Sequence, residues 1–302
     1  MKEMVCYQLQ VVVPAGEADE FCDWVRLRLG KEPVSLTPPH GDRSVVDVYF
    51  ETPEEAVTAK HRLPKQGLHV LSREVMRCGE ERWTTFWRRH FHVMEMGKRL
   101  RTVPVWETPP KSKRIDLKID PGLSFGTGGH FTTRFCLEEL ERAVEVLKPT
   151  SMLDAGAGSG ILAIAAVKLG VSKVEGFDYD PVCVEKCMEN AQLNGLKANR
   201  IHFYAQDVLG WQPKKRADVV CANILSSILI ESASALWEAT GRWLILSGIR
   251  DFEGDAVSEV FTGRGGREIL RDGDGEWCGL VMERPMQNKP ASHRRTKAAK
   301  QR

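Results

Sequence analysis

Apolar and polar positions alternate along this chain with two different periods, and the places where the period changes divide it into parts. Residues 5–13 (VCYQLQVVV) read as a strand, and residues 17–29 carry a helical spacing that stops at Gly30. A weak strand is expected over 33–36, then the turn TPPHGD, then a clear strand over 44–50. Thr52-Pro53-Glu54-Glu55 opens a second helix with a cap, a proline at the first helical position and acids in the first turn. A last strand is expected over 68–75. The order βαββαβ predicts a small ferredoxin-like α+β domain over residues 1–76.

Further on the rhythm becomes that of a larger α/β domain. Residues 152–180 read MLDAGAGSGILAIAAVKLGVSKVEGFDYD: a short apolar run ending in Asp154, a glycine turn, an apolar helix over 161–169 stopped by Gly170, and a strand over 173–177 ending in Asp178. Asp180-Pro181 starts a helix to Asn194, and 201–205 is a strand with Asp207 just beyond it. A buried strand over 218–222 ends at Asn223, a helix follows to about Ala239, and 243–247 is a fifth strand. A helix over 257–261 and strands near 268–270 and 277–283 complete the sheet, the last two as a hairpin. Between the two domains, residues 77–114 read as a linker: a helix over 80–91 with Trp83 and Trp87 on one face, a strand over 99–106, and a loop at Pro109-Pro110.

The glycine turn carries the chemistry. Gly156, Gly158 and Gly160 allow a sharp turn and a close backbone approach, and the helix that follows presents free N–H groups. A dinucleotide site wants G-x-G-x-x-G, but counting from Gly156 the third position is Ile161. The G-x-G-x-G spacing instead fits S-adenosylmethionine, where no pyrophosphate has to sit on the helix end. Asp178 at the tip of the next strand is placed to accept hydrogen bonds from both ribose hydroxyls, and Asp207 from the adenine amino group. Gly156, Asp178, Asp207 and Asn223 all fall at carboxyl ends of strands, where such sheets bind ligands. Residues 119–133 (IDPGLSFGTGGHFTT) form a glycine-rich loop without the Gly-Lys-Ser/Thr of a P-loop, positioned to cover the cofactor; Thr132 and Thr133 are expected to cap a helix over 134–146.

Asn223 is the candidate for positioning the acceptor, since its amide can accept from an incoming N–H. Ile224 and Leu225 follow it, without the prolines and stacking ring that would hold a planar amide or base, so the acceptor reads as an aliphatic amine. No carboxylate pair stands out as a dedicated base, and none is required if the amine is desolvated.

Composition narrows the remaining choices. The chain has 302 residues and a net charge of +2. Residues 287–302 hold six of the 43 Lys and Arg and no acid, leaving 37 basic against 41 acidic residues elsewhere. The body is mildly acidic, unlike a general nucleic-acid binder. The basic segment is expected to be a disordered tail with weak attraction to ribosomal RNA. In the small domain, the strand RSVVDVYF has no inner aromatic and carries Asp47, which argues against base stacking. The eight cysteines show no CxxC, and no metal site is expected; scattered thiols fit a reducing cytoplasm. No apolar run approaches the ~20 residues of a membrane span, and the first apolar stretch is too short for a signal peptide.

The motifs IDPGLSFGTGGHFTT, LDAGAGSGILAIAAVKLG, GFDYDP, ENAQLNG, VVCANIL and LILSGI together resemble the PrmA family, the methyltransferases of bacterial ribosomal protein L11. The segments ERWTTFWRRHFHVMEMGKRLRTVPVWE and EWCGLVMER resemble it too; residues 1–76 do so by architecture alone. The resemblance implies a seven-stranded class I, Rossmann-like methyltransferase sheet over 115–286 and a substrate-docking domain over 1–76. It implies S-adenosylmethionine as cofactor and Thr133, Gly156, Asp178 and Asn223 as its contacts. It also implies a monomeric enzyme transferring methyl groups to lysine ε-amines or the α-amine of the ribosomal protein. Departures are Gly129-His130-Phe131 for the family's usual Thr-His-Pro, Ala157 for its Cys, and Ser226-Ser227 for its Ala-Asp. A methyltransferase for another protein or a small molecule, or a catalytically silent assembly factor on the same scaffold, stays open on the residues alone.

Overall fold

The computed structural model describes residues 6–31, 33–36, 42–50, 52–64, 67–78, 92–120 and 130–285. The expected tryptophan helix (80–91), most of the glycine-rich loop and the basic tail lie outside the described residues. The chain divides into two compact units, residues 1–90 and 91–302.

In the first unit, β1 (Cys6–Pro14), β2 (Val34–Leu36), β3 (Arg43–Phe50) and β4 (Ser72–Cys78) form an antiparallel sheet in the order β2-β3-β1-β4. Helices α1 (Ala18–Leu29) and α2 (Pro53–Arg62) complete the βαββαβ order. Leu9, Val11, Val13, Phe21, Val25, Val46, Val48, Ala56 and Leu63 make one apolar core. The cap of α2 is as expected: Thr52 accepts from the Glu55 N–H and Pro53 follows. The fourth strand begins at Ser72, later than the sequence suggests. Just before it the Leu71 N–H still donates to the Val12 carbonyl of β1 at 2.8 Å, while the Glu17 carboxylate accepts the His69 N–H at 2.7 Å and meets the His69 ring at 2.7 Å. These bonds also hold the Glu17 carboxyl below its ordinary pKa.

The second unit holds a seven-stranded sheet of β8 (Ser151–Ala155), β9 (Lys173–Asp178), β10 (Ile201–Ala205), β11 (Ala217–Asn223), β12 (Thr240–Arg250), β13 (Arg267–Gly273) and β14 (Trp277–Glu283). Its order is β10-β9-β8-β11-β12-β14-β13. The first five are parallel; β14 is antiparallel to β12 and pairs with β13, so the expected hairpin folds back to place its second strand inside. Helices α3 (Phe131–Leu147), α4 (Ile161–Leu169) and α5 (Pro181–Leu193) share one apolar core with the sheet; α6 (Ser226–Glu231), α7 (Ala233–Ala239) and α8 (Gly254–Thr262) belong with another. Helix α4 is apolar nearly all round because it is enclosed: every residue but Lys168 is buried.

Within the second unit, two stretches depart most from the sequence expectation. The helix after Asn223 is two short helices that break at Ser232, whose hydroxyl donates to the Ile228 carbonyl at 2.6 Å. Residues 92–119 contain a three-stranded sheet of β5 (Met94–Met96), β6 (Leu100–Pro104) and β7 (Ile115–Ile119), with β6 and β7 parallel. The strand expected in the linker thus pairs with one at the start of the larger expected domain.

Candidate functional site

The site forms where β8 and β11, neighbours in the middle of the sheet, end side by side with β9. Residues 156–160 leave β8 through three left-handed glycines, Gly156 (φ 78°), Gly158 (φ 56°) and Gly160 (φ 78°). A side chain at any of them would be strained. The Phe177 carbonyl accepts from both the Gly156 and Ala157 N–H groups at 2.9 Å, tying the turn to the end of β9.

Asp178 is next in the chain and 6% exposed. One carboxylate oxygen accepts the Gly158 N–H at 2.8 Å and the other the Asp180 N–H at 3.1 Å. A carboxylate offers about four lone-pair positions, so two stay open after these bonds fix its orientation. That is the arrangement needed to receive a pair of hydroxyl donors. Asp207 lies two residues beyond β10 and is exposed, one oxygen accepting the Leu209 N–H at 2.9 Å. The neighbouring Gln206 N–H donates to the Asp178 carbonyl at 2.8 Å, so the two acids stand at adjoining strand ends.

Across β8, Asn223 closes β11. Its Nδ2 donates to the Thr133 hydroxyl over a long 3.5 Å, and its Oδ1 is buried with no partner. Burying an amide oxygen without a donor is unfavourable by roughly 1–3 kcal/mol, so this carbonyl is held ready for a donor from outside the fold. Thr133 is fully buried in the first turn of α3. Here the expected cap is corrected: the residue capping α3 is His130, whose Nδ1 accepts the Thr132 N–H at 3.3 Å, while Thr132 and Thr133 lie inside the helix. The His130 ring packs edge-on against Trp277 at 5.0 Å, and its burial lowers its pKa.

The sequence reading gave Asp154 and Gly248 no role and did not find what Ile224 touches. Asp154 is wholly buried, accepts the Ala163 N–H at 3.1 Å through one oxygen, and has no partner on the other. Burial pushes its pKa up to about 7, with the Asp178 charge adding in the same direction. Ile224 is wedged between two glycines: a Cβ on Gly156 would lie 2.3 Å from its Cγ2, and one on Gly248 (φ 79°) 2.5 Å from its carbonyl. No spacing rule reveals that contact, because it joins three strand ends distant in sequence. Among the described residues no cluster of ligating side chains could hold a metal.

The family model "Ribosomal protein L11 methyltransferase (PrmA)" matches residues 28–285. A ribosomal protein L11 methyltransferase of Geobacter metallireducens is 40% identical over 207 residues, 68% of this chain and 67% of that one. Another, of Syntrophotalea carbinolica, is 33% identical over 90% of this chain and 96% of its own length. Among solved structures, the ribosomal protein L11 methylase of Lactobacillus delbrueckii subsp. bulgaricus is similar at 32% identity and a TM-score of 0.59, covering 65% of this chain and all of that one.

Proposed function

The chain belongs to the ribosomal protein L11 methyltransferase (PrmA) family, and from that membership and the cleft's geometry we propose that it transfers methyl groups from S-adenosylmethionine to amines of ribosomal protein L11. The observation that carries the reading is the Asp178 carboxylate, oriented by two backbone N–H groups beside a left-handed glycine turn with acceptor positions to spare. Asp178 holds the ribose, Gly156, Gly158 and Gly160 let the backbone approach the ligand, Asp207 faces the adenine side, and Thr133 and Asn223 close the reactive end.

S-adenosylmethionine, when bound, supplies a methyl group on a sulfonium whose thioether departs as the new bond forms. What remains for the protein is placement and a neutral nucleophile. A lysine amine, with a pKa of ~10.4, costs roughly 4–5 kcal/mol to deprotonate at pH 7. Desolvation lowers an amine's pKa by up to ~3–5 units, which covers most of that cost. Asn223 suits this task because it is uncharged: a carboxylate in its place would favour the ammonium form. Its unpartnered carbonyl accepts an amine N–H and leaves the nitrogen lone pair to point elsewhere. An α-amine, with a pKa of ~8, needs less help, so lysine ε-amines and the N-terminal amine both fall within reach.

Three finer points extend the proposal. Residues 1–76 act as the docking domain for the protein substrate. The six Lys and Arg of residues 287–302 add a salt-sensitive attraction to ribosomal RNA. The enzyme works as a monomer in the cytoplasm; no helix among the described residues is long and apolar enough to cross a membrane.

The test is to incubate the full chain with isotopically methyl-labelled S-adenosylmethionine and purified large-subunit proteins, and to map the label by mass spectrometry. Label on lysine or N-terminal amines of L11 is expected. Transfer only to other proteins, or none while the cofactor binds, would overturn the reading.

A further inference from the structure

Helix α5 and the residue capping its C-terminus carry two asparagines one turn apart, Asn190 and Asn194, that do the work of a missing strand. Asn194 accepts the Lys118 N–H through Oδ1 at 3.0 Å and donates to the Lys118 carbonyl through Nδ2 at 2.6 Å. Asn190 repeats the pattern two residues further along the strand. Its Oδ1 accepts the Asp120 N–H at 2.9 Å and its Nδ2 reaches the Asp120 carbonyl at 3.4 Å. The geometry follows from the two repeats: four residues of helix rise about 6 Å, and two residues of strand about 6.6 Å. A carboxamide has donor and acceptor in one plane, as a peptide has, so each asparagine substitutes for one residue of a partner strand.

The two differ in one respect. Asn190, fully buried, also donates to the Ser159 carbonyl at 2.9 Å. Ser159 lies between Gly158, whose N–H orients the Asp178 carboxylate, and Gly160, which begins α4. Three residues earlier, on the same face of the helix, the Cys187 thiol sits 3.3 Å from the Gly158 carbonyl, so α5 grips the turn at two successive carbonyls. Lys186, 3.1 Å from the Asp120 carboxylate, adds a second hold on the strand end.

We propose that Asn190 is a positioning residue for the cofactor: it fixes the glycine turn against Asp120 and thereby sets the aim of the Gly158 N–H at Asp178. The inference rests on the function proposed above and adds a residue that touches neither cofactor nor acceptor. Asn194 is its internal control, because it makes the same tie to β7 without reaching the turn.

The experiment uses the full chain, with S-adenosylmethionine as the probe, and compares Asn190→Ala, Asn190→Asp and Asn194→Ala with the parent. The calorimetric Kd, the thermal midpoint and the KM-against-kcat split are read for each. The alanine and aspartate variants at 190 are expected to raise Kd and cofactor KM about tenfold, with kcat at saturation within about twofold; a tenfold change is ~1.4 kcal/mol. Aspartate keeps the acceptor for the Asp120 N–H but sets an oxygen against two carbonyls, so it separates loss of the donor from loss of bulk. Asn194→Ala is expected to lower the thermal midpoint to a similar degree and to leave Kd unchanged. Equal loss of midpoint at 190 and 194 with Kd unchanged in both would overturn the assignment, as would an equal rise of Kd in both. A parent chain that does not bind S-adenosylmethionine would remove this inference together with the functional reading, whereas normal binding by parent and Asn190 variants alike removes the inference alone.

Discussion

Asp178 and Asn223 end two strands that flank β8, yet they are held in opposite ways. Asp178 is gripped by backbone: one N–H at 2.8 Å from a turn that only glycine conformations allow, and one at 3.1 Å from Asp180. Asn223 is barely held, by one 3.5 Å contact to Thr133, and its carbonyl has no partner. On the proposed function, the half that would hold the cofactor has its acceptors fixed by the fold itself, while the half that would face the amine has a carbonyl without a donor. The difference matches the demands on each. A bound cofactor rewards rigid, preformed acceptors, whereas the proposed amine acceptor requires a group left free to receive its N–H.

That contrast can be broken at several points. The largest effect is expected from Asp178→Ala, which removes a charged acceptor of two hydroxyls; hydrogen bonds to charged groups contribute about 1.5–3 kcal/mol each, so cofactor affinity should fall roughly 100-fold or more by calorimetry. If affinity holds within threefold, the rigid half has been misplaced. Next comes Asn223→Ala, expected to lower kcat on the protein substrate by about 100-fold while cofactor Kd shifts only a few-fold. A matching loss in Kd would mean that the two halves are not separable.

A third substitution addresses their junction. Gly156→Ala drives a methyl group into the Ile224 side chain and strains a left-handed backbone, at a cost of about 1–3 kcal/mol in stability. The double variant Gly156→Ala, Ile224→Ala should recover part of that loss in thermal melts; additive losses would show the contact to be unimportant.

The fourth test concerns Asp154 and reads a slope against pH. Its folded pKa, raised to about 7 by burial, lies above the ordinary value of 3.8. Between those values the folded chain binds more protons than the unfolded one, so this group's contribution to stability falls as pH rises from about 4 to 7. Asp154→Asn keeps an acceptor for the Ala163 N–H and should flatten that slope in denaturant titrations. An unaltered pH profile in the variant would assign the dependence to other groups.

How much of this was legible in the residues follows from how local each feature is. The glycine turn, the apolar helix α4 and Asp178 are set by spacing within thirty residues, and the structure brings the turn, the start of α4 and Asp178 together at the strand ends. The cap of α3 was misassigned because hydroxyl side chains are the usual caps, and here an imidazole nitrogen fills the role from one residue earlier. Strand β7 and the pair Asn190 and Asn194 could not be read, because the strand finds its second partner in helix side chains some seventy residues away. The contact of Ile224 with Gly156 and Gly248 escaped for the same reason: it exists only once β8, β11 and β12 lie side by side.

The asparagine pair has a consequence beyond the cleft. Strand β7 ends its small sheet, with β6 on one side only. Left bare, the outward N–H and C=O groups of Lys118 and Asp120 would be a template for another chain to add to. Two carboxamides occupy those groups, so this edge offers a foreign strand no free backbone partners there, and variants that lose both amides should scatter light in solution where the parent stays clear.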